Sequence, residues 1–432
     1  MLRSLGLIIA AYLILATAYA VVTPPWQTPD EPAHYNYIKH IVETGSLPVL
    51  QAGDYQGALL EDLKARKWPP EASVDALRYE GHQPPLFYVL AAPIYALTQP
   101  RLNTRGVVIA LRLVSVLLGA GVVWLAYVIA RRALPELPGV ALAAAGLVAF
   151  LPMHLAITAS VNNDTLAELI LSAILLLSLG RLLGQVRHRQ FVIGGAVLVG
   201  LALLIKTTIY LPAVAAPAAA ELGAWWRRNR FGLGAALQTL ATMYVGALLI
   251  AGWWFLRNMD VYGPSDPFGW TRHDTIVFAE QLRTSQYLAQ TGVLRGLREG
   301  AWTVFQSFWG IFGWMGAPFP AGVYWLTAGL TVLAAVGLAL LITSGKRPRP
   351  ALWLLVVPIV CVLASLVGYN LKFVQFQGRY LFPALTPIAV FFALGLREVL
   401  AREHERVLAA LSVAAIFALA VFGLWSVVRP GL

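Results

Sequence analysis

Residues 5–22 read LGLIIAAYLILATAYAVV, and shortly afterwards come Pro29-Asp30-Glu31-Pro32-Ala33-His34. The first stretch approaches the roughly 20 apolar residues that cross a bilayer, so the two carboxylates and the imidazole that follow stand at a membrane surface. Stretches of the same kind recur along a chain that is 59% hydrophobic and 12% charged, with a mean hydropathy of +0.69. Soluble domains carry about 25% charged residues. The sequence therefore predicts an all-α polytopic membrane protein, with residues 1–432 as a single membrane domain. No small-residue cleavage site followed by a soluble domain ends the first stretch, which reads as a retained helix.

Spans are expected at 5–22, 107–130, 138–158, 165–183, 190–206, 208–224, 232–256, 321–342, 351–369, 380–396 and 407–428, eleven crossings in all. An N-terminus on the inner side collects basic residues there, among them Arg3, Arg131, Arg187, Arg189, Arg230, Lys346, Arg347 and Arg402. Positive charge prefers the cytoplasmic side, which favours this orientation. The formal charge of +11 then reports topology rather than a nucleic-acid surface. Residues 23–106 and 257–320 become two large extracytoplasmic loops. Pro84-Pro85-Leu86 opens a segment too short to span, which predicts a juxtamembrane helix, and the aromatic stretch Phe305 to Trp314 predicts a second surface-lying element. Cys361 is the only cysteine, so neither a disulfide nor a thiolate metal site forms within one chain.

Ionisable groups near hydrocarbon persist where pairing, water or function compensates them. Asp30 and Glu31 follow Thr28 and Pro29 in a pattern that also spells a helix cap. The alternative is catalytic: one carboxylate takes a proton from an acceptor hydroxyl, with partial burial raising its pKa. His34 falls on the same helical face as Asp30. His82 and Gln83 are either pocket residues or part of a turn before the surface helix. Asp164, after Asn162-Asn163, is either a turn residue or the lining of a wet cavity together with Glu168. Lys206, Arg257-Asn258 and Arg379-Tyr380 fall on the same expected side. The cations there either snorkel or converge on a phosphate, which Arg can hold bidentately. Asp-Glu-x-x-His is not a diagnostic metal spacing, so no metal ligands are assigned.

Together these pieces resemble the GT-C superfamily of membrane glycosyltransferases, which includes protein O-mannosyltransferases and the enzyme that adds aminoarabinose to lipid A. More narrowly, Pro29 to His34, His82-Gln83-Pro84-Pro85-Leu86, Trp254 to Asn258, Phe308 to Trp314 and Gln377 to Pro383 resemble a bacterial GT-C-like family of unknown function. The resemblance implies a bundle of about 11 transmembrane helices with juxtamembrane helices in the first outer loop. It also implies an enzyme of the cytoplasmic (inner) membrane with an extracytoplasmic active site. The expected reaction is an inverting transfer of a sugar from a polyprenyl-phosphate donor to a hydroxyl of an envelope glycan, lipid or protein. Asp30 is the implied base and Glu31 the second choice, while Lys206, Arg257 and Arg379 would meet the donor phosphate. Some GT-C members use a divalent cation such as Mg or Mn; here Asp164 is the one obvious partner for it. The competing expectations are a flippase for lipid-linked glycans, which needs matched sites on both faces, and a non-catalytic scaffold.

Overall fold

A computed structural model describes residues 2–228, 232–277, 281–344, 349–400 and 404–432. Of the charges that set the expected topology, Arg230, Lys346, Arg347 and Arg402 lie outside these residues. α1 (Leu2–Val22) is the first apolar stretch. Its seven-residue spacing separates two faces: Leu7, Ile14 and Val21 are exposed, while Tyr12 and Tyr19 are buried. Residues 23–106 then fold into α2 (Glu31–Thr44), α3 (Gly57–Ala65) and α4 (Leu86–Thr98). α4 is a 13-residue helix at the place where Pro84-Pro85 predicts one too short to span, and it runs on through Pro93. It docks on α2 through the rings of Tyr37 and Tyr88, stacked with centroids 3.7 Å apart.

α5 (Thr104–Ala133) follows, then α6 (Pro138–Phe150) and α7 (Pro152–Thr158), which are bent by 59° where Pro152 breaks the path. α8 (Asp164–Leu182), α9 (His188–Leu203), α10 (Tyr210–Arg228) and α11 (Leu233–Tyr262) form the middle of the bundle. The second loop holds α12 (Trp270–Ile276), α13 (Thr284–Thr291) and α14 (Val293–Gly310). A hairpin pairing β1 (Ile311–Phe312) with β2 (Ala317–Pro318) closes it. The aromatic stretch expected to form one surface element is thus divided between the end of α14 and this hairpin. α15 (Ala321–Thr343), α16 (Pro350–Asn370), a 3-10 turn at Gly378–Ala384, α17 (Leu385–Leu400) and α18 (Glu405–Phe422) complete the bundle.

Eight of the described helices are long and apolar enough to cross a membrane, or nine with α6 and α7 as one broken span. The other two expected crossings are present as α9 and α10 but differ from the rest. α9 has 16 residues, about 24 Å at 1.5 Å per residue, short of the roughly 30 Å hydrocarbon core. α10 carries Pro217, Glu221 and a Trp225-Trp226 pair, which lower its apolar character. This is a multi-pass membrane protein. α15 and α17 touch backbone to backbone at Gly337 and Gly395, where any Cβ would collide with the facing main chain.

Candidate active site

The site is assembled where α2, the loop before α4, the N-terminus of α8, the turn after α9 and the 3-10 turn at Gly378–Ala384 meet. α2 begins after Asp30, whose φ of 67° is left-handed. A non-glycine residue there costs roughly 1–2 kcal/mol and is held only by its surroundings. Asp30 stands at the cap position, yet its side chain makes no capping hydrogen bond. Instead it reaches across the chain. The Tyr79 hydroxyl donates to Oδ1 at 3.0 Å, and Nη2 of Arg379 donates to Oδ2 at 2.6 Å. The capping explanation of this aspartate therefore fails, and a long-range ion pair takes its place.

Arg379 is delivered by its neighbours. Gly378 lies so close to the α14 backbone that a Cβ would strike Phe308, and its N–H donates to the Ser307 hydroxyl at 2.7 Å. Nε of Arg379 donates to Gln377 at 2.8 Å, and the guanidinium lies 5.5 Å from the Tyr380 ring. Across the site, Lys206 Nζ donates to Asp164 Oδ1 at 2.6 Å. Asn163 ties these strands of chain together, donating to the Ile205 carbonyl at 3.1 Å and reaching Gln83 Oε1 at 3.5 Å. His34, one turn beyond Asp30, shares a 2.9 Å hydrogen bond between Nδ1 and the Tyr88 hydroxyl.

The electrostatics bind these groups into one cluster. Burial works against ionisation of Asp30, but the Arg379 charge, then His34 and the hydrogen bonds from Arg379 and Tyr79, hold its carboxyl below the ordinary value. Burial pushes His34 below its ordinary 6.5, with Glu80, Lys206, Asp30 and Asp164 all close enough to be felt.

Glu80 was missed as a site residue. Its carboxyl is buried, and Oε2 has no hydrogen-bond partner among the described residues. Burial raises it above 4.5; His34 and Lys206 act against the rise and Asp30 adds to it. The only signal in the sequence was its position two residues before His82-Gln83-Pro84-Pro85.

A measurable pH dependence follows. A raised folded pKa gives stability that is whole below the unfolded value, here about 4.5, and that is lost as pH rises through the folded value. His34 acts in the opposite sense: its depressed pKa gives stability present above 6.5 and lost as pH falls through the folded value. Glu80→Gln should therefore flatten the decline of the thermal midpoint as pH rises above 4.5, leaving the acid-side loss from His34. Parallel pH curves for the two proteins would remove Glu80 from this role.

Other expected site residues are employed elsewhere. Glu31 is fully buried and accepts four hydrogen bonds: from Arg112 Nε at 2.7 Å and Nη2 at 2.6 Å, and from the backbone N–H groups of Trp26 at 3.0 Å and Val161 at 3.1 Å. These bonds occupy the lone-pair directions of both oxygens and make Glu31 a structural tie. Arg257 does not join Lys206 and Arg379: it donates to the Pro48 carbonyl at 2.6 Å and to its neighbour Asn258 at 3.1 Å. Its guanidinium lies 4.8 Å from the Trp254 ring. Asn258 is fully buried and holds the Pro267 carbonyl. His82 sits on the wall, with Nδ1 3.2 Å from the Tyr79 carbonyl and its ring 4.2 Å from that of His273; burial pushes it down to about 4. Glu168 does not line the cluster, because it meets His154 at 2.8 Å inside the bundle.

Among the described residues no group of three or more His, Cys, Asp or Glu side chains is arranged to hold an ion. The two candidate carboxylates, Asp30 and Asp164, are each occupied by a cation. The described residues do not fit a divalent ion.

A family model described as dolichyl-phosphate-mannose-protein mannosyltransferase matches residues 82–254. That stretch contains His82, Asp164 and Lys206 but not Asp30 or Arg379. Among solved structures, apo ArnT from Cupriavidus metallidurans is similar with a TM-score of 0.55 and 17% identity, covering 96% of this chain and 64% of that chain. ArnT bound to undecaprenyl phosphate gives a TM-score of 0.56 and 16% identity, covering 99% and 73%. The Archaeoglobus fulgidus oligosaccharyltransferase in complex with Zn and sulfate gives 0.51 and 14%, covering 96% and 52%. The chain thus spans just under two thirds of the first of these proteins. No curated protein matches the sequence. These likenesses establish that the chain has the GT-C membrane fold, as its motifs led us to expect.

Proposed function

We propose that the protein is an inverting glycosyltransferase that moves a sugar from a polyprenyl-phosphate donor to an acceptor hydroxyl. The single observation that carries this reading is the placement of Asp30. A strained residue at a helix start turns away from capping to meet Arg379, 349 residues away, beside the Lys206–Asp164 pair. The fold shared with ArnT, a protein solved with undecaprenyl phosphate bound, supports the class of donor. The short loops expected inside carry basic residues with few acids, Arg131, Arg187 and Arg189 among them, which supports an outward-facing site in the cytoplasmic membrane, with the N-terminus inside.

In this mechanism Asp30 takes the acceptor proton while the acceptor oxygen attacks the anomeric carbon. The bond from that carbon to the phosphate oxygen breaks on the opposite face, and a single displacement inverts the centre. Lys206 and Arg379 receive the charge that develops on the departing phosphate. The Asp30–Arg379 pair gives the donor a second part to play. Without donor, Arg379 keeps Asp30 ionised but weakly basic. A phosphate that draws the guanidinium towards itself restores the proton affinity of Asp30 as the donor arrives.

The reading is tested by supplying the purified full chain with a polyprenyl-phosphate sugar and candidate acceptors, then determining the anomeric configuration of the product by NMR. An inverted glycoside and free polyprenyl phosphate are expected; translocation of intact donor without cleavage would establish the flippase instead. Lys206→Met should weaken donor binding by roughly 10- to 100-fold, the effect of a charged hydrogen bond worth about 1.5–3 kcal/mol. Equilibrium binding of polyprenyl phosphate checks this, and unchanged affinity would take Lys206 out of the phosphate site.

A further inference from the structure

At the far end of α8 the bundle opens a cavity that the reaction does not use. Asp164 belongs to the site, whereas Arg181 lines this cavity. The α8 residues between them, at about 1.5 Å of rise each, put roughly 26 Å between the two ends, close to the hydrocarbon thickness of about 30 Å. The cavity measures about 900 Å³ and lies between the loop that joins α8 to α9 and the facing ends of α10 and α11.

Its charge is unbalanced. Among the described residues Glu221 is the only acid in the lining, and Arg181 cancels it with two hydrogen bonds of 2.5 and 2.9 Å. Arg187 and Arg189, also in the lining, are exposed and have no ion-pair partner among the described residues. The hydroxyls of Thr239 and Thr242 are turned to their own helix, donating to the carbonyls of Ala235 and Gln238. Trp225 lines it, and the adjacent Trp226 is 77% exposed. Indoles in such positions mark the head-group level of a bilayer. Ile193 on α9, also in the lining, is an exposed apolar side chain.

We propose that this cavity binds the phosphate head group of an anionic phospholipid, with Arg187 and Arg189 as its charge partners and the acyl chains lying along α9 and α11. Basic recesses between spans on the cytoplasmic side suit such head groups. Val192, Ile193 and Trp225 in the lining favour a lipid over a free anion, because a soluble phosphate would not cover these apolar side chains.

Native mass spectrometry of the detergent-purified full chain tests this with dioleoyl phosphatidylglycerol, the phosphatidylcholine of the same chains, and inorganic phosphate alone. Phosphatidylglycerol should bind, phosphatidylcholine at least about tenfold more weakly, and inorganic phosphate should not displace the lipid. The double variant Arg187→Gln/Arg189→Gln should lose about tenfold or more in phosphatidylglycerol affinity, at roughly a fewfold for each cation. Arg3→Gln/Arg131→Gln, an equal change of charge elsewhere in the chain, should keep it. Sugar transfer in detergent should be unchanged in the cavity variant, which also shows that it folds; should the double variant fail to fold, each single variant should show about half the logarithmic loss. Equal loss in the control variant, equal binding of phosphatidylcholine, or displacement by inorganic phosphate would overturn the proposal.

Discussion

Asp30→Asn is expected to lower sugar transfer by about 10²- to 10⁴-fold, the usual worth of a positioned general base, while donor binding stays within a few-fold of wild type. Asparagine is the informative replacement for two reasons. It tolerates the left-handed backbone that this position imposes, whereas alanine would carry the full strain. Its amide oxygen can still accept from Tyr79, so the loop keeps its shape while the carboxylate is lost. Arg379 is then released from its anionic partner and becomes more available to a phosphate, which is why affinity for polyprenyl phosphate should hold or improve. Single-turnover transfer and equilibrium binding separate the two quantities. Transfer at the wild-type rate in a folded Asp30→Asn protein would remove Asp30 as the base, and weakened donor binding would show that Asp30 positions the donor instead.

Local spacing made the helices and the importance of residues 29–34 legible, because hydropathy and the periodicity of a helix are properties of neighbouring residues. The convergence of Asp30, Asp164, Lys206 and Arg379 was legible only as a shared expected side of the membrane. Distances of 2.6 Å between residues 42 and 349 positions apart arise from packing that no spacing records. The same limit explains the errors. Arg257 carries the right charge near the right depth, but the carbonyls of Leu47 and Pro48 meet its guanidinium first. Glu80 looked like part of a turn because its significance is an environment: burial beside another carboxyl, with an oxygen left unpaired. Glu31 was misread because its partner went unnoticed, although a signal was present. Arg112 lies inside an apolar span, and a buried guanidinium requires a buried acid.

That pair carries the second large expected effect. Arg112 and Glu31 are both fully buried. Arg112 also donates to the carbonyls of Ala20 at 2.8 Å, Thr23 at 2.6 Å and Pro24 at 3.0 Å, while Glu31 holds the N–H groups of Trp26 and Val161. The two side chains therefore join the end of α1, the start of α2, the third turn of α5 and the turn before Asp164. Removing one member leaves the other charge buried without compensation, a loss of about 3–5 kcal/mol. Arg112→Met should show most of it, and Glu31→Gln a large part, because a glutamine amide must turn its NH₂ towards donors that a carboxylate accepts from. Combining the two should cost less than the sum of the single losses, since the double replacement leaves no stranded charge. Thermal unfolding in detergent, compared at one scan rate because such unfolding is commonly irreversible, measures all three. The outcome also decides between Glu31 and Asp30 as the base. At temperatures where it stays folded, Glu31→Gln should transfer sugar within a few-fold of wild type, and a catalytic loss matching that of Asp30→Asn in a stable Glu31→Gln protein would mean that the buried tie has been mistaken for the reacting carboxylate.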